Sequence, residues 1–315
     1  MSTNDRGREA DSPSSIPFAG WYDIGWRLWT RFNDAHIYLF AAGAAFFGLL
    51  ALVPALAALL AMYGAIFDPA TAVKQTAALS GFLPGETQTL VEDQLKRLTS
   101  EPSSKLGLAA TFSFLFSLWS ASSATKAIMD GLNVVYLESE KRSLFAYNAT
   151  ALILTIAGLL AIAVLLGITL ILPLVLSYIL PGSVSVLVWL ISYGVLIATL
   201  WACVSALYRY APSREEAKWR WLTPGAIAAV VFILAFSIVF SWFARTFSTY
   251  SAYGSISAVI GFMTWAWVCM VILLVGAQIN AEAEHQTQKD STTGRPLPLG
   301  ERGAVMADTV GKSVE

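Results

Sequence analysis

From Ser143 to Tyr208 the chain runs 66 residues without one Asp, Glu, Lys or Arg. Arg142 closes one side and Arg209 the other. As one helix the run would be about 99 Å long at 1.5 Å per residue. A bilayer core is roughly 30 Å thick and takes about 20 apolar residues per span. The run must therefore fold back, and Leu180-Pro181-Gly182-Ser183 is the expected turn. Two membrane spans follow from this feature alone.

The rest of the chain agrees. Charged residues are 13% of the total, against roughly 25% in a soluble domain. A soluble core of this size could not hide 56% apolar residues. The net charge of -1 gives no basic surface for nucleic acid. Cys203 and Cys269 sit in apolar runs and read as packing residues. His36 and His285 belong to no metal-binding pattern.

Uncharged stretches give six expected spans, at about 38–66, 106–128, 145–178, 184–208, 222–244 and 254–280. The third is too long for hydrocarbon alone and should tilt or break near Pro173. Fifteen of the 20 Lys and Arg then fall on the side holding both termini, the 2–3 loop and the 4–5 loop. The positive-inside rule places that side in the cytoplasm. Between spans 1 and 2, residues 68–105 read as two short helices, Pro69 to Leu79 and Glu86 to Leu98, around a Gly-Phe-Leu-Pro-Gly turn at 81–85. Trp21, Trp26 and Trp29, with Arg27 and Arg31, suggest an interfacial helix before the first span. Residues 1–20 and 286–315 have the composition of disordered cytoplasmic tails. The expected fold is an all-α polytopic membrane protein with one membrane domain, 21–285.

Six residues are candidates for chemistry. Ser113, Ser117 and Ser120 share one helix face, at spacings of 4 and 3. Small residues there can bring helices close; hydroxyls there can also line a polar path. Lys126 and Asp130, at i and i+4, can form an interfacial ion pair or a gate at the mouth of such a path. Arg245 is the cation between spans 5 and 6. It can snorkel to headgroups or grip a phosphate or carboxylate. Glu282 and Glu284, at the end of the last span, are expected to be solvated.

Several pieces recur together: Trp119-Ser120-Ala121-Ser122-Ser123, Leu132-Asn133-Val134-Val135-Tyr136, Tyr208-Arg209-Tyr210-Ala211-Pro212 and Thr223-Pro224-Gly225-Ala226. Tyr250, Tyr253-Gly254-Ser255-Ile256-Ser257-Ala258-Val259 and Gly276-Ala277-Gln278-Ile279-Asn280-Ala281-Glu282 follow. In order and spacing, over about 25–285, this set resembles the YihY/BrkB family of bacterial inner-membrane proteins, once labelled ribonuclease BN. Phe46-Phe47 and Ala51 stand where that family often has Tyr and Ser, and Gln278 where Glu is common. The resemblance implies six membrane helices with both termini cytoplasmic. It supplies no settled activity, although some members are linked to serum resistance or lipid export.

The residues themselves argue against an enzyme. A nuclease would need metal ligands and a basic groove, and an intramembrane hydrolase a nucleophile with its base. No catalytic, cofactor or metal residue is expected. The leading expectation is a transporter or flippase-like protein for a lipid-like envelope substrate, with membrane lipids as partners and a homo-oligomer admitted. The second is a non-transporting membrane scaffold for envelope organisation. No P-loop is present for direct use of ATP, and the scarcity of charge argues against a strongly proton-coupled pump, which usually needs buried carboxylates.

Overall fold

A computed structural model describes residues 6–32, 36–66, 103–167, 185–247 and 255–314. Its main elements are α1 (Phe18–Arg31), α2 (Ile37–Ile66), α3 (Ser103–Val135), α4 (Leu144–Leu166), α5 (Ser185–Tyr210), α6 (Trp219–Phe247), α7 (Ser255–Glu284) and α8 (Val305–Asp308). Among the described residues no strand forms, apart from one isolated antiparallel bridge between Ala217 and Thr292. The expected turn at 180–183, the break near Pro173, the loop helices between 69 and 98, and Tyr250 to Gly254 lie outside the described residues.

Among the described residues four helices are long and apolar enough to cross a membrane: Leu144–Leu165, Leu190–Tyr210, Trp219–Ala244 and Val259–Glu284. A shorter apolar helix covers Ile37–Leu52. The apolar helices turn large side chains outward; Ile153, Leu160, Phe232 and Ile238 are all exposed. That surface is suited to hydrocarbon, where apolar side chains need no burial.

The chain forms two compact units, 46–123 on the one hand and 1–45 with 124–315 on the other. In the larger unit α6 packs along α7 and α5 along α6. Its core is rich in alanine, with Ala226, Ala229, Ala277 and Ala281 buried beside Leu222, Leu273 and Tyr208. Small side chains let the helix backbones approach closely, which compensates for the missing hydrophobic drive between helices in lipid. A Cβ on Gly225 would land on the Gly276 carbonyl oxygen, and one on Gly276 would meet the Tyr208 hydroxyl and the Gly225 carbonyl. Glycine at both positions permits this crossing.

Helix starts and stops follow local chemistry. Ser143 caps α4, its hydroxyl accepting from the Ala146 N–H. Leu137 ends α3 in the left-handed region at φ 57°, and the Glu138 N–H reaches back to the Asn133 carbonyl at 2.8 Å. This is a Schellman-type stop with leucine where glycine is usual, at a cost of about 1–2 kcal/mol.

Candidate functional site: a charged cap and its cleft

The residues singled out from the sequence are spread over both units. Ser117 and Ser120 are buried in the smaller one. Ser120 Oγ donates to the Phe47 carbonyl at 2.9 Å and Ser117 Oγ to the Phe114 carbonyl of its own helix at 2.9 Å. Ser113 is half-buried one turn earlier on α3. Lys126 and Asp130 belong to the larger unit. Asp130 takes a hydrogen bond from the Tyr147 hydroxyl at 2.9 Å rather than the expected ion pair with Lys126. Arg245 falls near the end of α6.

The larger unit holds a dense charged cluster that sequence reasoning missed. Glu282 and Glu284, expected to be solvated, are fully buried. Arg27 Nε donates to Glu282 at 2.6 Å, Arg31 pairs with the other Glu282 oxygen, and the Arg27 guanidinium also reaches Gln286 at 2.8 Å. Glu284 takes both guanidinium nitrogens of Arg214, at 2.8 and 3.0 Å, and the Ser291 hydroxyl at 2.9 Å. Arg214 lies over the Tyr136 ring, 3.9 Å from its centre. Burial alone would lower the Arg214 pKa, but Glu284 beside it raises it. Burial works against ionisation of Asp23 on α1 too, yet the Val314 N–H and Arg6 hold its carboxyl below the usual range. Buried charges persist only when paired, and each of these is, although Asp23 Oδ2 and Arg214 Nε have no hydrogen-bond partner among the described residues.

Four of the pieces that carry the family resemblance, at 132–136, 208–212, 223–226 and 276–282, meet here. Pro224 has no N–H, so the first turns of α6 lose a hydrogen bond. Asn280 of α7 bridges the gap: its Oδ1 accepts from the Gly225 N–H at 2.7 Å and its Nδ2 donates to the Leu222 carbonyl at 3.0 Å. Tyr208 donates to the Leu273 carbonyl at 2.6 Å. Asn133 accepts from the Ser213 N–H at 2.7 Å and donates to Glu140 at 3.0 Å. Gln278, in contrast, is buried with neither amide atom bonded among the described residues.

Residues 6–16 and 286–314, placed in disordered tails by composition, differ from that expectation: they cover the cap. Arg302 is almost fully buried and donates to the carbonyls of Leu297, Lys289, Ala307 and Gln288. The Val305 N–H donates to Glu138 at 2.7 Å, and Arg6 and Arg8 reach the carbonyls of Val314 and Gly311. Polar side chains here satisfy backbone groups, so polarity did not predict exposure.

A cleft of about 510 Å³ opens beside the cap. Four cations, Lys141, Arg142, Arg209 and Arg214, face it with two carboxylates, Glu215 and Glu216. Its walls are the residues around the start of α4, the last turn of α5 and the loop that follows, with Gly303 on the rim. Arg209 forks onto Glu216 at 2.6 and 2.9 Å and lies 4.8 Å from the Trp219 ring centre. Arg142 holds Glu140 at 2.7 and 2.8 Å and the Ala211 carbonyl at 2.8 Å. Burial would raise the Glu140 carboxyl, but Arg142 and Asn133 hold it down at about 2. Among the described residues no group of three His, Cys, Asp or Glu could hold a metal ion.

The family model for virulence factor BrkB matches residues 28–298. The chain belongs to the virulence factor BrkB family. It is 30% identical over 251 residues to the putative ribonuclease-like protein YfkH of Bacillus subtilis (strain 168), covering 76% of this chain and 88% of that protein. It is 22% identical over 262 residues to the UPF0761 membrane protein NTHI0384 of Haemophilus influenzae (strain 86-028NP), covering 82% and 93%. With the UPF0761 membrane protein Smlt0865 of Stenotrophomonas maltophilia (strain K279a) it shares 23% over 261 residues, 81% of this chain and 59% of that longer protein. No solved structure matches the chain. The two UPF0761 relatives are named as membrane proteins, in keeping with the apolar helices of this chain, while YfkH carries a ribonuclease-like name.

Proposed function

We propose that this BrkB protein spans a bacterial inner membrane six times, by α2 to α7, with both termini cytoplasmic, and that it moves a lipid-like amphipathic envelope substrate. The cleft is the observation that supports transport: a charged recess at the ends of apolar helices is where an amphipathic molecule can keep its headgroup polar and its tail in hydrocarbon. The topology is supported by α1. Asp23, Ile24 and Arg27 face the cap, while Phe18, Tyr22, Trp26 and Trp29, at spacings of 4, 4 and 3, are exposed on the opposite face. Such an aromatic face suits the cytoplasmic membrane interface. A reporter fused after Leu137 is expected on the cytoplasmic side; a periplasmic signal refutes the six-span arrangement.

Transport is tested by reconstituting the full chain in vesicles and following the transbilayer movement of fluorescent lipid. Movement above protein-free vesicles is expected. A Ser117→Leu/Ser120→Leu variant that folds but moves lipid unchanged removes the serine face from the path. If the wild type moves no lipid under any gradient, the transport reading is lost. A second reading, a non-transporting scaffold, then takes its place. It is favoured by the buried pairs Arg27–Glu282 and Arg214–Glu284, which hold α1, the α5–α6 loop and α7 in one arrangement.

A further inference from the structure

We propose that the cleft beside the cap is a binding site for the phosphate group of an anionic phospholipid, with Arg142 and Lys141 as its donors and the acyl chains lying along α4 and α5. This rests on the amphiphile-handling reading and names the headgroup it would recognise.

Three observations carry it. The first is cation density: Lys141, Arg142, Arg209 and Arg214 all line the cleft, each held by one carboxylate, Glu138, Glu140, Glu216 and Glu284 respectively. The second is unused donor capacity held in a fixed place. Arg142 spends Nε and Nη2 on Glu140 and on the Ala211 carbonyl. Its Nη1 makes no hydrogen bond among the described residues. Lys141 gives one bond to Glu138, at 2.8 Å, leaving two ammonium hydrogens. Its backbone is anchored where its N–H donates to Ser213 Oγ at 2.9 Å. Both cations are therefore positioned by the α3–α4 and α5–α6 loops before any ligand arrives, which lowers the ordering cost of binding. The third is location. Lys141 and Arg142 immediately precede α4, whose first residues Leu144 and Phe145 are 84% and 86% exposed. Across the cleft stands the exposed Tyr210 at the end of α5. Cations at the polar ends of two apolar helices, with bare apolar surface directly beyond them, match an anionic lipid from headgroup to tail. Basic pockets between membrane helices take such headgroups. The guanidinium supplies the planar donor geometry that phosphate oxygens accept.

The test uses the full chain in nanodiscs that contain phosphatidylglycerol and phosphatidylcholine in equal amounts, with retained lipid counted by native mass spectrometry after release. Phosphatidylglycerol should be retained over phosphatidylcholine, and the Lys141→Gln/Arg142→Gln variant should lose that preference by about tenfold. Arg295→Gln, an exposed cation outside the cleft, should leave it unchanged. Lys141→Gln alone removes an exposed side chain and serves if the double variant fails to fold; it should lower the preference in the same direction. Equal retention of the two lipids, or a preference untouched in the folded variants, overturns the proposal. Displacement of phosphatidylglycerol by millimolar inorganic phosphate also overturns the lipid assignment and gives the cleft to a soluble phosphate compound. Lipid movement with no selective retention removes this site alone. Selective retention with no lipid movement removes the transport reading and leaves the site.

Discussion

Helix α4 and the segment 286–314 are built on opposite rules. α4 is charge-free and mostly apolar, yet only 11% of its most apolar window is buried. The segment 286–314 is polar, yet Thr287, Ser291, Arg302 and Met306 are all inside. In α4 the backbone satisfies itself, and the side chains can meet hydrocarbon without loss. In the segment no long helix satisfies the backbone, so side chains and neighbouring chain must do so, which draws them inward. Burial in this molecule follows hydrogen-bond demand more than hydropathy.

That contrast can be broken first at Glu284. Glu284→Ala leaves the buried Arg214 guanidinium without its counter-charge and should cost about 3–5 kcal/mol, seen as a large fall in Tm in detergent. Replacing both partners, as Arg214→Met/Glu284→Leu, should cost less than the single change, because no charge is stranded. A double variant as unstable as Glu284→Ala would show that packing against Tyr136, not charge, holds this point. Next comes Arg302→Ala, which strips donors from four carbonyls of the segment and should cost about 2–3 kcal/mol. Faster proteolysis within 286–314 should accompany it; unchanged cleavage would separate the segment's order from Arg302.

Acid gives a smaller and graded effect. The Glu140 carboxyl is held at about 2 against an ordinary 4.5. A depressed carboxylate contributes stability above its unfolded pKa and loses it as pH falls through the folded one. The Tm should therefore hold steady from pH 7 to about 5 and decline between about 4.5 and 2. Glu140→Gln should lessen that decline, and an identical acid profile in this variant would assign the decline to other carboxylates. The smallest effect belongs to α4. Leu160→Ala, at an exposed position, should change stability by less than about 0.5 kcal/mol in detergent. A larger loss would mean that α4 is covered by another protein surface.

The apolar helices were legible because a charge-free run has only one use in a chain this size. Among the described residues, Ser143 to Tyr208 holds the apolar helices α4 and α5. The cap was not legible, and the reason is partner identity. Glu282 and Glu284 look like ordinary solvated helix ends until Arg27, Arg31 and Arg214, 251 residues away in the case of Arg31, are seen beside them. Low hydropathy in 286–314 reports composition and says nothing of four carbonyls waiting for one guanidinium. One signal was present: the Asn133, Thr223-Pro224-Gly225 and Asn280 pieces are costly inside a helix or at its edge, and such residues tend to be kept where they bond something specific. The cleft was half legible, since Arg142 and Arg209 were visible as cations flanking the run but not as facing one another.

The bonds of Arg27 also set an order of assembly. Its guanidinium meets Glu282 and the Lys312 carbonyl, the latter 285 residues further along the chain. During synthesis α1 leaves the ribosome long before either partner exists. The apolar helices can enter the bilayer one after another while Arg27 and Arg31 remain hydrated. The cap is complete only once residues beyond 300 have emerged, so its completion is a late step that follows insertion rather than guiding it. A nascent chain halted before that point would be fully inserted yet unlatched at one end, with its arginines open to proteases and its folded state distinguishable from the finished one.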